Sequence, residues 1–93
     1  MNDATIINPS GTVIEAALPL GATTWSLADL QRFVGGYVEI VRHHGLPGKV
    51  VLVNEDGYAL GLDMNHAATA AVGLPPVCPL LGTVVVIPAA TLR

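Results

Sequence analysis

Two carboxylates and three neutral polar side chains are the residues of this sequence whose types and placing could do chemistry. Glu39 and Glu55 lie on or beside segments expected to be neighbouring strands. A pair of carboxylates can divide general acid and base roles when their surroundings push the two pKa values apart. Nothing nearby in sequence supplies the burial that would do so, and the plain reading is a solvated strand face for Glu39 and a hairpin turn for Glu55. Tyr37, Asn54 and Asn65 form a second set, each able to aim a neutral hydrogen bond at a ligand in a pocket with a few convergent polar groups. Asparagine is equally at home in turns and caps, where it bonds backbone groups. Tyr37, Glu39, Asn54, Glu55 and Asn65 are therefore the candidate ligand-binding residues, and no residue stands out as catalytic.

The remaining reactive side chains point to no site. Adjacent residues of an extended chain face opposite ways, so His43 and His44 make a poor pair of metal ligands, and His66 stands alone. A site with Glu39 or Asp63 is conceivable, but a loop-exposed histidine pair is the expectation, with no metal and no cofactor. Cys78, between Val77 and Pro79 with no base nearby, reads as a buried, inert thiol. The glycines at 35–36 and 45–48 lack the Lys and Ser or Thr that would make a phosphate loop.

Composition narrows the class. The 93 residues make one domain, 1–93. Hydrophobic residues are 52% and charged residues 12% of the chain, against about 25% charged in an ordinary soluble domain. A chain this short leaves more than about a third of its unfolded-state surface in water, so the apolar excess predicts an interface, most simply in a homodimer. Val84 to Ile87, Ala67 to Ala71 and Leu74 to Leu81 are the stretches expected to supply it. A net charge of −3 with four Lys and Arg argues against a nucleic-acid surface. No apolar run is long enough to span a membrane, and the start of the chain lacks the basic and apolar regions of a signal peptide. The expected location is cytoplasmic, and a single cysteine excludes an internal disulfide.

The elements that must position these residues follow from periodicity and turn signals. Thr5 to Ile7 and Thr12 to Leu18, divided by Asn8-Pro9-Ser10-Gly11, predict an N-terminal hairpin. Ser26 with Asp29 three residues on resembles a capping box, and Leu27, Leu30 and Val34 share one face of a helix over 27–34. Trp25 is placed to staple onto Leu30, and Gly35-Gly36 ends the helix. Tyr37 to Val41 is a strand, 43–48 a loop, and Val50 to Val53 a strand apolar on both faces, as a central strand is. Asn54-Glu55-Asp56-Gly57 carries a hairpin signal that predicts a return strand over Tyr58 to Leu62. Asp63 or Asn65 caps a short helix over 65–71, Leu74 to Pro79 is a connection, and Gly82 to Ile87 is a buried strand closed by Pro88. The fold class is α+β: five or six mainly antiparallel strands packed on one main helix, plus one short helix.

In this order the residues resemble a family of small actinobacterial and phage proteins, domain of unknown function 3846. The resemblance rests on a helix ending in Gly35-Gly36-Tyr37, then Glu39, Val53-Asn54-Glu55, Gly57, Gly61-Leu62, Asn65 and a last strand opening Gly82-Thr83. It covers Leu30 to Ile87. The chain departs from the family pattern at Asp63-Met64, where a proline usually follows the Gly-Leu step, and in the Ala and Pro content of 67–79. The resemblance implies a setting in mobile elements and no activity. The expected function is a non-enzymatic binding or interaction module acting on a host component. A binder of a nucleotide-like small molecule and a small hydrolase using Glu39 or Glu55 are the alternatives.

Overall fold

Two continuous apolar runs decide the architecture, because a strand with no polar face must be covered on both sides. They become β4 (Lys49–Asn54) and β7 (Val84–Pro88), which lie side by side within a five-stranded antiparallel sheet of order β2-β1-β7-β4-β3. The computed structural model describes residues 2–93. The expected N-terminal hairpin is β1 (Ala4–Ile7) and β2 (Val13–Ala16), and β1 goes on to pair with β7. β3 (Val38–Val41) pairs with β4 and forms the far edge. The fold is α+β, with each face of the sheet carrying one helix.

The period of two along each strand sorts side chains to the two faces. Ala4, Ile6, Leu52, Val85 and Ile87 turn to one face, where Trp25, Leu30 and Val34 close over them. The last two belong to α1 (Leu27–Val34), the expected helix, with Ser26 Oγ accepting the Asp29 amide at 3.1 Å. Such a cap contributes about 1 kcal/mol. Gly35, at φ +78°, ends the helix in the left-handed conformation, its amide donating to the Gln31 carbonyl. Ile7, Val51, Val53, Val84 and Val86 turn to the other face, under Ala68 and Val72 of α2 (His66–Ala71) and the residue after it.

Several expectations are corrected. The hairpin return at Tyr58 to Leu62 is not a strand. β4 is already paired on both edges, by β3 and β7, so a return strand has no free edge to bond. The segment curls instead through successive turns, with Leu60 bonded to Asp56 and Leu62 to Gly57. Val84 to Ile87 is no apolar edge either. It is the middle strand, with Val84, Val85 and Ile87 fully buried, and contributes nothing to an interface. Cys78 is exposed, not buried. A two-residue ladder between β5 (Met64–Asn65) and β6 (Leu80–Leu81) was not expected, and it ties the proline-rich connection back to α2.

Candidate binding groove

The polar residues singled out by sequence meet different fates. Asn54 is 5% exposed and its amide works inside the fold. Nδ2 donates to the Val34 carbonyl at 3.2 Å, and Oδ1 accepts the Asp56 amide at 2.8 Å, so one side chain fastens the end of α1 to the turn after β4. Gly36 must be glycine for this contact, since a Cβ there would lie 2.9 Å from Asn54 Nδ2. Asn65 is fully buried. Its Nδ2 donates to the carbonyls of Ile7 and Gly82, both at 2.8 Å, while Oδ1 caps α2 by accepting the Ala68 amide. Both donors of Asn65 are thus spent on backbone. Tyr37 keeps its ring outside, 66% exposed, while its carbonyl accepts the Glu55 amide.

Glu39, Asn54 and Glu55 do come together, around a shallow open cleft of about 210 Å³ whose other walls include Tyr58, Leu80 and Leu81. Tyr37 and Asn65 are not among those walls. Both carboxylates are exposed, and among the described residues the only ion pair is Arg32 with Asp29, at 2.9 Å. That pair and the hydrogen bond from Ser26 hold the Asp29 carboxyl below the usual range, Ser26 first and Arg32 second. The described residues contain no group of three His, Cys, Asp or Glu side chains placed to hold a metal ion. His44 Nδ1 accepts the Leu46 amide and so shapes its own loop.

The larger concavity lies on the α1 face. It is a groove of about 440 Å³ between α1 and the strands β3 and β4, walled by Trp25, Leu30, Val38, Ile40, Leu52, Leu92 and Arg93. Leu27, expected on the buried face of α1, lines it while 56% exposed, and Ile40, which also lines it, is 42% exposed. Trp25 is held by its amide to the Thr91 carbonyl and by an edge-on contact with Phe33, ring centres 5.5 Å apart. Its indole Nε1 is the one buried side-chain polar atom without a hydrogen-bond partner among the described residues. A buried donor left unmet costs roughly 1–3 kcal/mol. Sequence reading gave Trp25 only a stapling role. The available signal was an apolar helix residue, Leu27, whose place on the face exceeds what a four-residue edge strand covers.

The chain matches one family model, described as Domain of unknown function (DUF3846), over residues 2–91. No curated protein and no solved structure matches it.

Proposed function

The chain belongs to the DUF3846 family, and we propose that it is a binding module with no reaction of its own, which takes an apolar side chain of an extended protein segment into the α1-face groove. One observation carries this reading: a groove of about 440 Å³ whose walls are aromatic and aliphatic apart from Arg93, with two half-exposed apolar residues, Leu27 and Ile40, among them. Sites for compact groups run from about 300 to 1,000 Å³ and are mostly apolar with few polar atoms. The surface is also ordinary in extent, 5532 Å² against about 5,100 Å² expected for this mass. Large apolar side chains do stand on the outside, Leu20, Leu27, Tyr58, Leu60 and Val77 among them. The cleft beside Glu39 and Glu55 supports a hydrolase less well, because both carboxylates are exposed and neither has an ion-pair partner among the described residues. Asn54 and Asn65, on which a small-molecule reading rests, spend their amides within the fold.

The test uses a display library of random peptides selected on the immobilised protein. Trp25 is the only tryptophan, so its emission reports whether a selected peptide reaches the groove. Leu27→Asp is expected to weaken binding at least about tenfold, whereas Glu39→Gln and Glu55→Gln leave it unchanged. Peptides that bind Leu27→Asp as tightly as the parent chain, with no change in Trp25 emission, would overturn the reading.

A further inference from the structure

β3 supplies one wall of the groove and is also the last strand of the sheet. We propose that a second copy of this chain docks on that edge, β3 against β3, antiparallel about a two-fold axis, with Ile40 opposite Ile40 of the partner subunit. The inference rests on the groove being the binding surface and names the partner that reaches it.

The backbone fixes which groups are free. Val38 stands opposite Asn54, so Tyr37 stands opposite Glu55, and the Glu55 amide donates to the Tyr37 carbonyl at 2.8 Å. In an antiparallel ladder, bonded and non-bonded pairs alternate. Tyr37, Glu39 and Val41 therefore bond to β4, while the N–H and C=O of Val38 and Ile40 point away from the sheet. The far side of β4 gives the same phase, since the Ala89 amide donates to Gly48 next to the Lys49–Pro88 pair. Val38 and Ile40 are also the two β3 residues that line the groove. A strand laid on this edge thus bonds to the same residues whose side chains flank the groove, and its apolar residues fall at the groove's lip.

β3 itself has what that lip accepts, apolar residues at alternate positions on one face. It lacks the usual guards of an exposed edge, with no Lys, no Pro and no bulge within Val38–Val41. Its one charge, Glu39, sits at the position that alternates to the opposite face. Charge then selects the register. Centring the two-fold on Glu39 would set two carboxylates directly opposite each other, which is unfavourable. Centring it on Ile40 pairs Ile40 with Ile40, Glu39 with Val41 and Val38 with Arg42, and exposes no like-charged pair face to face. An axis normal to the sheet keeps both α1 helices on one side, so the two grooves adjoin along a continuous sheet. The other edge, β2, leaves Val13 and Glu15 outward by the same alternation, since the Asn8 amide donates to the Thr12 carbonyl. None of the grooves described lies beside β2, and Glu15 is bonded to Thr5.

Sedimentation velocity at about 10 μM, with amide exchange read by NMR, tests the pairing. The expected result is a dimer in which the Val38 and Ile40 amides exchange slowly while those of Val13 and Glu15 exchange fast. Ile40→Pro removes an N–H that faces outward, a change edge strands tolerate, and should weaken the dimer at least about tenfold. Val13→Pro should not. If Ile40→Pro impairs folding, Ile40→Asp at this half-exposed position gives the same reading. A monomer, or a dimer that ignores both Ile40 variants, overturns the proposal. A monomer whose Trp25 still answers to selected peptides removes the second copy and leaves the groove reading standing, whereas a monomer with a silent Trp25 removes both.

Discussion

The face of the sheet covered by α2 is pinned by polar atoms. Asn65 reaches two backbone carbonyls and caps the helix, Thr69 Oγ1 donates to the Asn65 carbonyl at 2.7 Å and accepts the Leu80 amide at 2.9 Å, and the Thr83 hydroxyl donates to Asn8. The face covered by α1 is held chiefly by apolar contact, with Asn54 at its border, and has one buried donor without an acceptor among the described residues. The contrast follows from the helices. A six-residue, alanine-rich α2 has little apolar area to offer and cannot hold itself together, so its position must be specified by hydrogen bonds. α1 has bulky side chains and a capped start, and needs no such pins. The α2 side has its polar atoms committed to structure, whereas the α1 side is where apolar side chains, Leu27 and Ile40, stay half exposed beside a groove.

Substitutions test this contrast, and the largest effect belongs to Asn65. Asn65→Ala removes a cap and strands two buried carbonyls, so the folded state should lose roughly 3 kcal/mol or more, read as a lower midpoint in urea. A loss below about 1 kcal/mol would mean the α2 side is not held by this residue. Gly36→Ala comes next. Its Cβ would press on the Asn54 amide at 2.9 Å and should cost about 1–3 kcal/mol, relieved when Asn54→Ala is added in a double-mutant cycle.

The third change should act in the opposite sense. Benzothienylalanine in place of Trp25 keeps the ring and deletes the unmet N–H, and stability should hold or rise by up to about 1 kcal/mol. A clear loss would show that Nε1 has a partner after all. The smallest effect concerns pH. The Asp29 carboxyl is held low in the folded state by Ser26 and Arg32, so its contribution is present above the unfolded carboxyl value and is lost as pH falls through the folded one. The stability difference between the parent chain and Asp29→Asn should therefore close as the solution is acidified, and a difference independent of pH would contradict the assignment.

How much of this was legible in the sequence depends on whether the signal was local. Ser26 and Gly35 mark their own helix ends, and the apolar runs of β4 and β7 announce burial on both faces, because each effect acts within a few residues. The Asp-Gly signal at 56–57 misled for a non-local reason. A return strand needs a free edge, and β7, some thirty residues later, had taken it. The candidate site divided in the same way. Glu39, Asn54 and Glu55 meet because β3 and β4 are a hairpin pair, whereas Asn65 is drawn to Ile7 and Gly82 by contacts distant in sequence. The groove was illegible, since its walls come from the stretches around 25–30, 38–40, 52 and 92, and only their packing leaves a gap.

The proposed binding surface is the α1 face and not the α2 face. Backbone amide shifts recorded while a selected peptide is added test it most directly. The perturbed amides should cluster at Leu27, Leu30, Val38, Ile40 and Leu52, with Asn65, Thr69 and Leu80 unmoved. Shifts centred instead on Glu39, Glu55, Tyr58 and Leu80 would contradict it, and would move the site to the cleft between the two glutamates.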